Sequence, residues 1–186
     1  MTTESPAALG LHGALRRLYF TRFAFAVVWA VVLIVTGGAP SPFLTVWLLI
    51  YPLFDAASVL YQLRSEGRSN SPRIAEWLNV VLSVAAGVAL AVTSTVSTGA
   101  ALITWGVWAI VSGLLQLIVA ILRRHAGGQV PLMISGAVSV LAGGAFAVMG
   151  AGGASSLTSV GGYATIGAIL FLVSAIRLSV LRGRTS

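Results

Sequence analysis

Tyr51, Asp55, Ser58 and Gln62 recur at i, i+4, i+7 and i+11 within an apolar run, so a helix places them on one face. Glu76, Asn79, Ser83 and Gly87 form a second such stripe one segment later. A carboxylate among hydroxyls and amides in apolar surroundings can hold a proton, coordinate a cation or pair with a guanidinium. Arg22 and Arg177 are the cations set inside apolar runs. Three readings of Asp55 stay open: a structural ion pair with Arg22 or Arg177, a protonated acid hydrogen-bonded to Ser112, Ser174 or Tyr51, and a proton or cation site in a pathway. Pro52, three residues earlier, denies the carbonyl of Leu48 its helical partner, which predicts a packing bend or an opened carbonyl beside Asp55.

What must position these groups follows from composition. Of 186 residues 58% are hydrophobic and only 8% charged, with a mean hydropathy of +0.98, far from the soluble norm of about 25% charged. The chain reads as all-α and polytopic. Apolar runs near 18–36, 43–63, 74–93, 100–122, 130–149 and 159–181 give six spans. Ser41 before Pro42, Ser71 before Pro72, and Pro131 mark first turns. The predicted organisation is a cytoplasmic segment 1–17, a spanning domain 18–182 and a tail 183–186.

The chain has no cysteine, which excludes disulfides and thiol chemistry. Its formal charge of +7 comes from arginines beside apolar segments, so topology accounts for it better than nucleic-acid binding. Arg16, Arg17, Arg22, Arg64, Arg68, Arg73, Arg123, Arg124, Arg177, Arg182 and Arg184 all fall on one side of a six-span arrangement. The connections "GGAPSP", "TSTVSTG" and "GAGGASSLTSVGG" carry no charge. The positive-inside rule then predicts an inner-membrane protein with both termini cytoplasmic. Its arginine loops would attract anionic lipid headgroups. A cleaved signal peptide is the competing reading of the first run, disfavoured because the repeat needs that helix.

Ala26, Ser83 and Ser139 coincide when the odd helices are overlaid, as do Ala30, Gly87 and Gly143, with a period of about 57 residues. On the even helices Asp55, Ser112 and Ser174 coincide, followed by Ala56, Gly113 and Ala175, with Leu49, Gly106 and Ala168 seven residues earlier. Small residues at such spacing let helix backbones approach. The reading is three parallel helical-hairpin repeats (about 18–63, 74–122 and 130–181) with pseudo-threefold symmetry about the membrane normal.

The segment "TWGVWAIVSGLLQLIVAILRR" (104–124), followed by "MISGAVSVLAGGAFAVM", resembles the HdeD family of bacterial membrane proteins. Gly106, Ser112, Gly113, Gly136 and Gly143 carry the resemblance, with weaker echoes at Asp55 and Ala56 and at Ser174 and Ala175. The first hairpin departs most, having Phe23 where the fifth helix has Gly136. The resemblance spans most of the chain from Arg22 to Arg182. It implies a six-span inner-membrane protein tied to stress or acid tolerance, with no catalytic residue to carry over.

Enzymatic chemistry finds no support. His12 and His125 lie outside the spans, no HExxH spacing occurs, and "GAGGASS" lacks the lysine of a phosphate loop. No catalytic residue, cofactor or metal is expected. Arg22 and Arg177 have stems long enough to snorkel to the interface, and Glu76 can pair with Arg73 at i−3. Trp47, Trp77, Trp105, Tyr19 and Tyr163 read as interfacial anchors, Trp29 and Trp108 as core. The leading expectation is a non-enzymatic structural or stress-associated membrane component, with self- or partner-assembly. The alternative is a small-solute or proton-linked transporter or channel with Asp55 in its pathway.

Overall fold

In hydrocarbon the backbone finds no aqueous partner, so each apolar run closes its hydrogen bonds internally as helix. The computed structural model describes residues 6–36, 40–65, 73–122 and 130–183. Among them are six helices: α1 (Pro6–Thr36), α2 (Pro42–Ser65), α3 (Ile74–Val96), α4 (Thr98–Leu122), α5 (Val130–Ala151) and α6 (Thr158–Gly183). All six are long and apolar enough to cross a membrane, and the chain is a multi-pass, all-α membrane protein. Val28, Val81, Val107, Leu141, Val148 and Ile169 cover its outside, as suits a surface wetted by acyl chains.

The helix ends follow local chemistry. Ser41 caps α2, its Oγ accepting from the Leu44 N–H at 3.1 Å, with Pro42 in the first turn. α2 continues through Pro52 without interruption. α5 closes with Gly153 at φ 76°, the Ala154 N–H reaching the Met149 carbonyl (3.0 Å) and the Gly153 N–H that of Gly150 (3.1 Å). This is a Schellman ending, which needs a left-handed residue.

Helix α1 begins at Pro6, so its first turns lie within the segment 1–17, where Ala and Leu outweigh Gly10 and Gly13. One connection differs from expectation. The connection "TSTVSTG" is almost wholly helical. Ser97 alone stands between α3 and α4: its N–H bonds the Thr93 carbonyl (3.1 Å), and its Oγ accepts from the Ala100 N–H (3.0 Å). One hydroxyl residue thus ends one helix and caps the next. Ser71, Pro72, Arg68, Arg123, Arg124, His125 and Arg184 lie outside the described residues.

Each helix packs on its neighbours in sequence, and α6 returns to α1, closing a ring. Packing is most extensive for α4 on α5, α1 on α6 and α2 on α3. The tightest pairs therefore join successive hairpins rather than the two helices within one. Small residues explain this, and they act on α4 and α5 in a longer series than the sequence reading identifies. Gly99, Gly106 and Gly113 on α4 meet Gly150, Gly143 and Gly136 on α5, so Gly99 and Gly150 extend the seam by a further pair.

A Cβ added at Gly106 would lie 2.5 Å from the Gly143 carbonyl oxygen, and one at Gly143 2.6 Å from that of Gly106. The two backbones are in contact, leaving room for nothing larger than hydrogen. On α3, Gly87 faces Leu53 and the Leu49 carbonyl of α2. On α6, Gly161 sits against Ile34 and the Ala30 carbonyl of α1. Ala26 and Ala30 are buried.

A test separates seam from propensity. Ala is favoured over Gly inside a helix by about 1 kcal/mol. Gly144→Ala, which meets nothing within 4 Å, should leave thermal unfolding in detergent unchanged or raise it. Gly106→Ala should lower it, since α4 and α5 must part to admit the methyl group.

Candidate functional site

Asp55 enters the ring on α2, one turn beyond Tyr51 and Pro52. Its Oδ1 is ion-paired with the Nη2 of Arg22 on α1. Its Oδ2 accepts from Asn79 Nδ2 at 2.9 Å and from Ser83 Oγ at 3.0 Å, both on α3. Ser83 Oγ in turn accepts from Trp108 Nε1 on α4 at 3.2 Å. One carboxylate therefore joins α1, α2 and α3 directly, and α4 through a hydroxyl. Every partner of Asp55 donates, which is the coordination an ionised carboxylate requires. The Arg22 guanidinium also lies 4.5 Å over the ring of Phe171 on α6, a cation–π contact that adds a fifth helix.

The structure chooses among the partners that the sequence leaves open. Arg22 turns inward to Asp55 instead of snorkelling, because the carboxylate lies within reach and the side chains are only 14% and 16% exposed. Arg177 does not join the pair. Ser112 and Ser174 donate to carbonyls of their own helices, Trp108 (2.6 Å) and Leu170 (2.9 Å), as helical serines with no better acceptor do. The hydroxyl of Tyr51 has no hydrogen-bond partner among the described residues.

Ser83 and Ser139 serve as more than small packing residues. Ser83 relays the network to α4, and Ser139 Oγ lies 2.8 Å from the Tyr163 hydroxyl on α6. That Ser83 shares a face with Glu76 and Asn79 was the available signal for such a role.

Directly beyond the network lies an aromatic layer. Tyr51 packs on Phe25, Trp29, Trp105 and Trp108 with ring centroids 4.6 to 6.1 Å apart. Trp29 and Trp105 stack at 5.2 Å, as do Phe25 and Phe54 at 3.8 Å. Trp29 Nε1 donates to the Trp47 carbonyl (2.7 Å) and Trp47 Nε1 to the Trp29 carbonyl (3.1 Å), a reciprocal clasp between α1 and α2. Trp105, expected at the interface, is fully buried, since its face of α4 points into the ring. Tyr163 likewise faces inward, whereas Trp77 is exposed as an anchor should be. Leu33, Leu48, Leu90, Leu102 and Val160 continue this core away from the network.

On the opposite side of the aromatic layer the ring is hollow. A cavity of about 560 Å³ is lined by residues of all six helices. It extends from Tyr51, Trp108, Ser139 and Tyr163 past Arg22, Asp55, Asn79, Ser112 and Ser174 to Gln62, Glu76, Gln116 and Arg177. These last residues lie at the arginine-bearing ends of their helices, and Arg177 is exposed. The cavity is thus one-ended, with its mouth at Arg177 and its floor on the tyrosine hydroxyls. Its size is that of a small-molecule site. No pattern in the sequence announces it, because it arises where side chains on six helices fail to meet.

Removing one partner of a buried ion pair costs about 3–5 kcal/mol, whereas replacing both with apolar groups is often near neutral. Arg22→Leu should therefore lower thermal unfolding sharply, and Arg22→Leu combined with Asp55→Leu should recover more than half of the loss. An additive double variant would show that the pair is not coupled.

Residues 78–148, from α3 through α4 into α5, match a family described as a short repeat of unknown function, DUF308. The chain matches no curated protein and no solved structure. The matched stretch holds the whole glycine seam between α4 and α5 except Gly150, together with Asn79, Ser83, Trp108 and Ser112. Asp55 and Arg22 lie before it.

Proposed function

We propose that the chain is a non-enzymatic, six-span protein of the HdeD type, acting as a structural, stress- or acid-tolerance-associated component of the bacterial inner membrane. The observation that carries this reading is the complete satisfaction of Asp55 by Arg22, Asn79 and Ser83, which makes the carboxylate a clasp for the ring. The DUF308 match and the resemblance around Gly106, Gly113, Gly136 and Gly143 support the family. The alternation of tighter and looser helix pairs supports three parallel hairpins about a pseudo-threefold axis. Arginine asymmetry supports cytoplasmic termini and contact of the basic connections with anionic lipid. A second copy or another membrane protein would pack on the exposed apolar flanks.

A second reading, a small-solute or proton-linked transporter, is favoured by one observation: the cavity reaches Asp55 from a single side. Alternating-access proteins present such a half-open site near the bilayer midplane.

The native chain lacks cysteine, so single thiols report topology cleanly. Ser65→Cys should react with an impermeant maleimide only from the cytoplasmic face and Ser156→Cys only from the opposite face; the reverse pattern overturns the orientation. Cells lacking the protein should survive acid challenge less well, and normal survival would remove the stress role. For the second reading, wild-type protein in vesicles should move protons or a solute, and Asp55→Asn should abolish this at temperatures where circular dichroism shows the variant still folded. Absence of wild-type flux would leave the clasp alone.

A further inference from the structure

We propose that the one-ended cavity is a binding site for a small organic carboxylate, held by Arg177 and the free edge of Arg22, with the Tyr51 hydroxyl at its floor. The inference goes beyond the proposed function and is independent of whether the bound solute crosses the membrane.

The argument rests on which groups in the cavity are already spoken for. Both oxygens of Asp55 are occupied, Oδ1 by Arg22 and Oδ2 by Asn79 and Ser83, so its negative charge is screened from the space it borders. Arg22 commits a single N–H to this pair, and the other donors of its guanidinium remain. Arg177, exposed at the mouth, makes no hydrogen bond or ion pair among the described residues. Both arginines lie on the adjoining α1 and α6, and the guanidinium of Arg22 rests on Phe171 of α6. Glu76, the other acid in the lining, is on α3, which the ring order places opposite α6. The wall formed by α1 and α6 is therefore the cationic one. Planar guanidinium forks match carboxylates in particular.

The rest of the lining determines what the anion is attached to. Phe25, Phe54, Trp108, Leu115 and Phe171 give apolar walls suited to an organic body rather than a bare inorganic ion. At the floor the Tyr51 hydroxyl has no hydrogen-bond partner among the described residues and faces the cavity, so it is available to a ligand. Across from it is Gly167: an added Cβ there would meet only the Tyr51 hydroxyl, at 3.8 Å. The missing side chain keeps open the space beside the unpartnered hydroxyl.

Titration calorimetry on the purified full chain in non-ionic detergent tests this with three phenyl-bearing probes of similar size and different charge: benzoate, benzyl alcohol and benzylamine. Benzoate should bind saturably and the other two should not. Arg177→Gln should weaken benzoate by about tenfold or more, the loss expected of a charge-assisted bond. Gly167→Leu should abolish binding by filling the floor, and its unchanged thermal unfolding in the same detergent would show the fold intact. Absence of saturable benzoate binding, equal binding of the alcohol, preference for the amine, or full affinity in Arg177→Gln would each overturn the proposal.

Discussion

An ionised carboxylate in hydrocarbon costs several kcal/mol unless every lone pair finds a donor, and much of the ring can be understood as the answer to that demand. Asp55 needs donors from more than one direction, and no single helix can supply them. Arg22, Asn79 and Ser83 must converge on it, which fixes the rotation of α1 and α3 about their axes relative to α2. Ser83 accepts from Trp108, so the same demand also orients α4. Four helices thus lose their freedom to rotate for the sake of one side chain. In a bilayer, where burying apolar surface gives helices no reason to associate, such an interaction supplies specificity that oil-like packing cannot.

The two ends of the ring solve the packing problem differently. Away from the network, large rings and leucines fill the space between helices, and the Trp29–Trp47 clasp satisfies two indoles within an otherwise apolar layer. Towards the arginine-bearing end, serines, a glycine and polar tips line a volume they do not fill. The glycine seam runs through both regions on the α4–α5 side, so that pair stays in contact whether the middle is filled or hollow. Rigidity on the perimeter is what allows a cavity inside so small a bundle.

Much of this was legible in the sequence where it depended on periodicity or punctuation. Six spans follow from apolar run length, the Ser41–Pro42 start of α2 from capping chemistry, and the inward faces of Asp55 and Asn79 from their spacing. The sequence offers Arg22 and Arg177 alike to Asp55, and the choice between them depends on helix rotation, which a linear pattern does not carry. Trp105 lies at interfacial depth along α4 yet is fully buried, because the facing of a side chain, which depth does not encode, decides its exposure. Gly99 and Gly150 each sit near a helix end, where glycine usually signals a cap and a packing role leaves no mark in the sequence. The turn at Ser97 was hidden for a related reason: β-branched and hydroxyl residues look like a loop until a single serine is seen to serve both helices.

The one-ended cavity also has an electrical consequence. A space of about 560 Å³ that is open at one end and bordered by Arg22, Asp55, Asn79 and Gln116 has the room and the polar partners to admit water, and water would carry the potential of the solution at its mouth inward to Asp55. Any voltage across the membrane must then fall over the remaining, close-packed part of the ring, about 20 Å of helix between Asp55 and the start of α2 at the helical rise. The field there is steeper than in the surrounding lipid. A charge moving past the aromatic layer would traverse nearly the whole drop, about 2.3 kcal/mol for each 100 mV. The rings of Trp29, Tyr51 and Trp105 therefore act as the dielectric of a thin capacitor, with the Arg22–Asp55 pair lying at the edge of one plate.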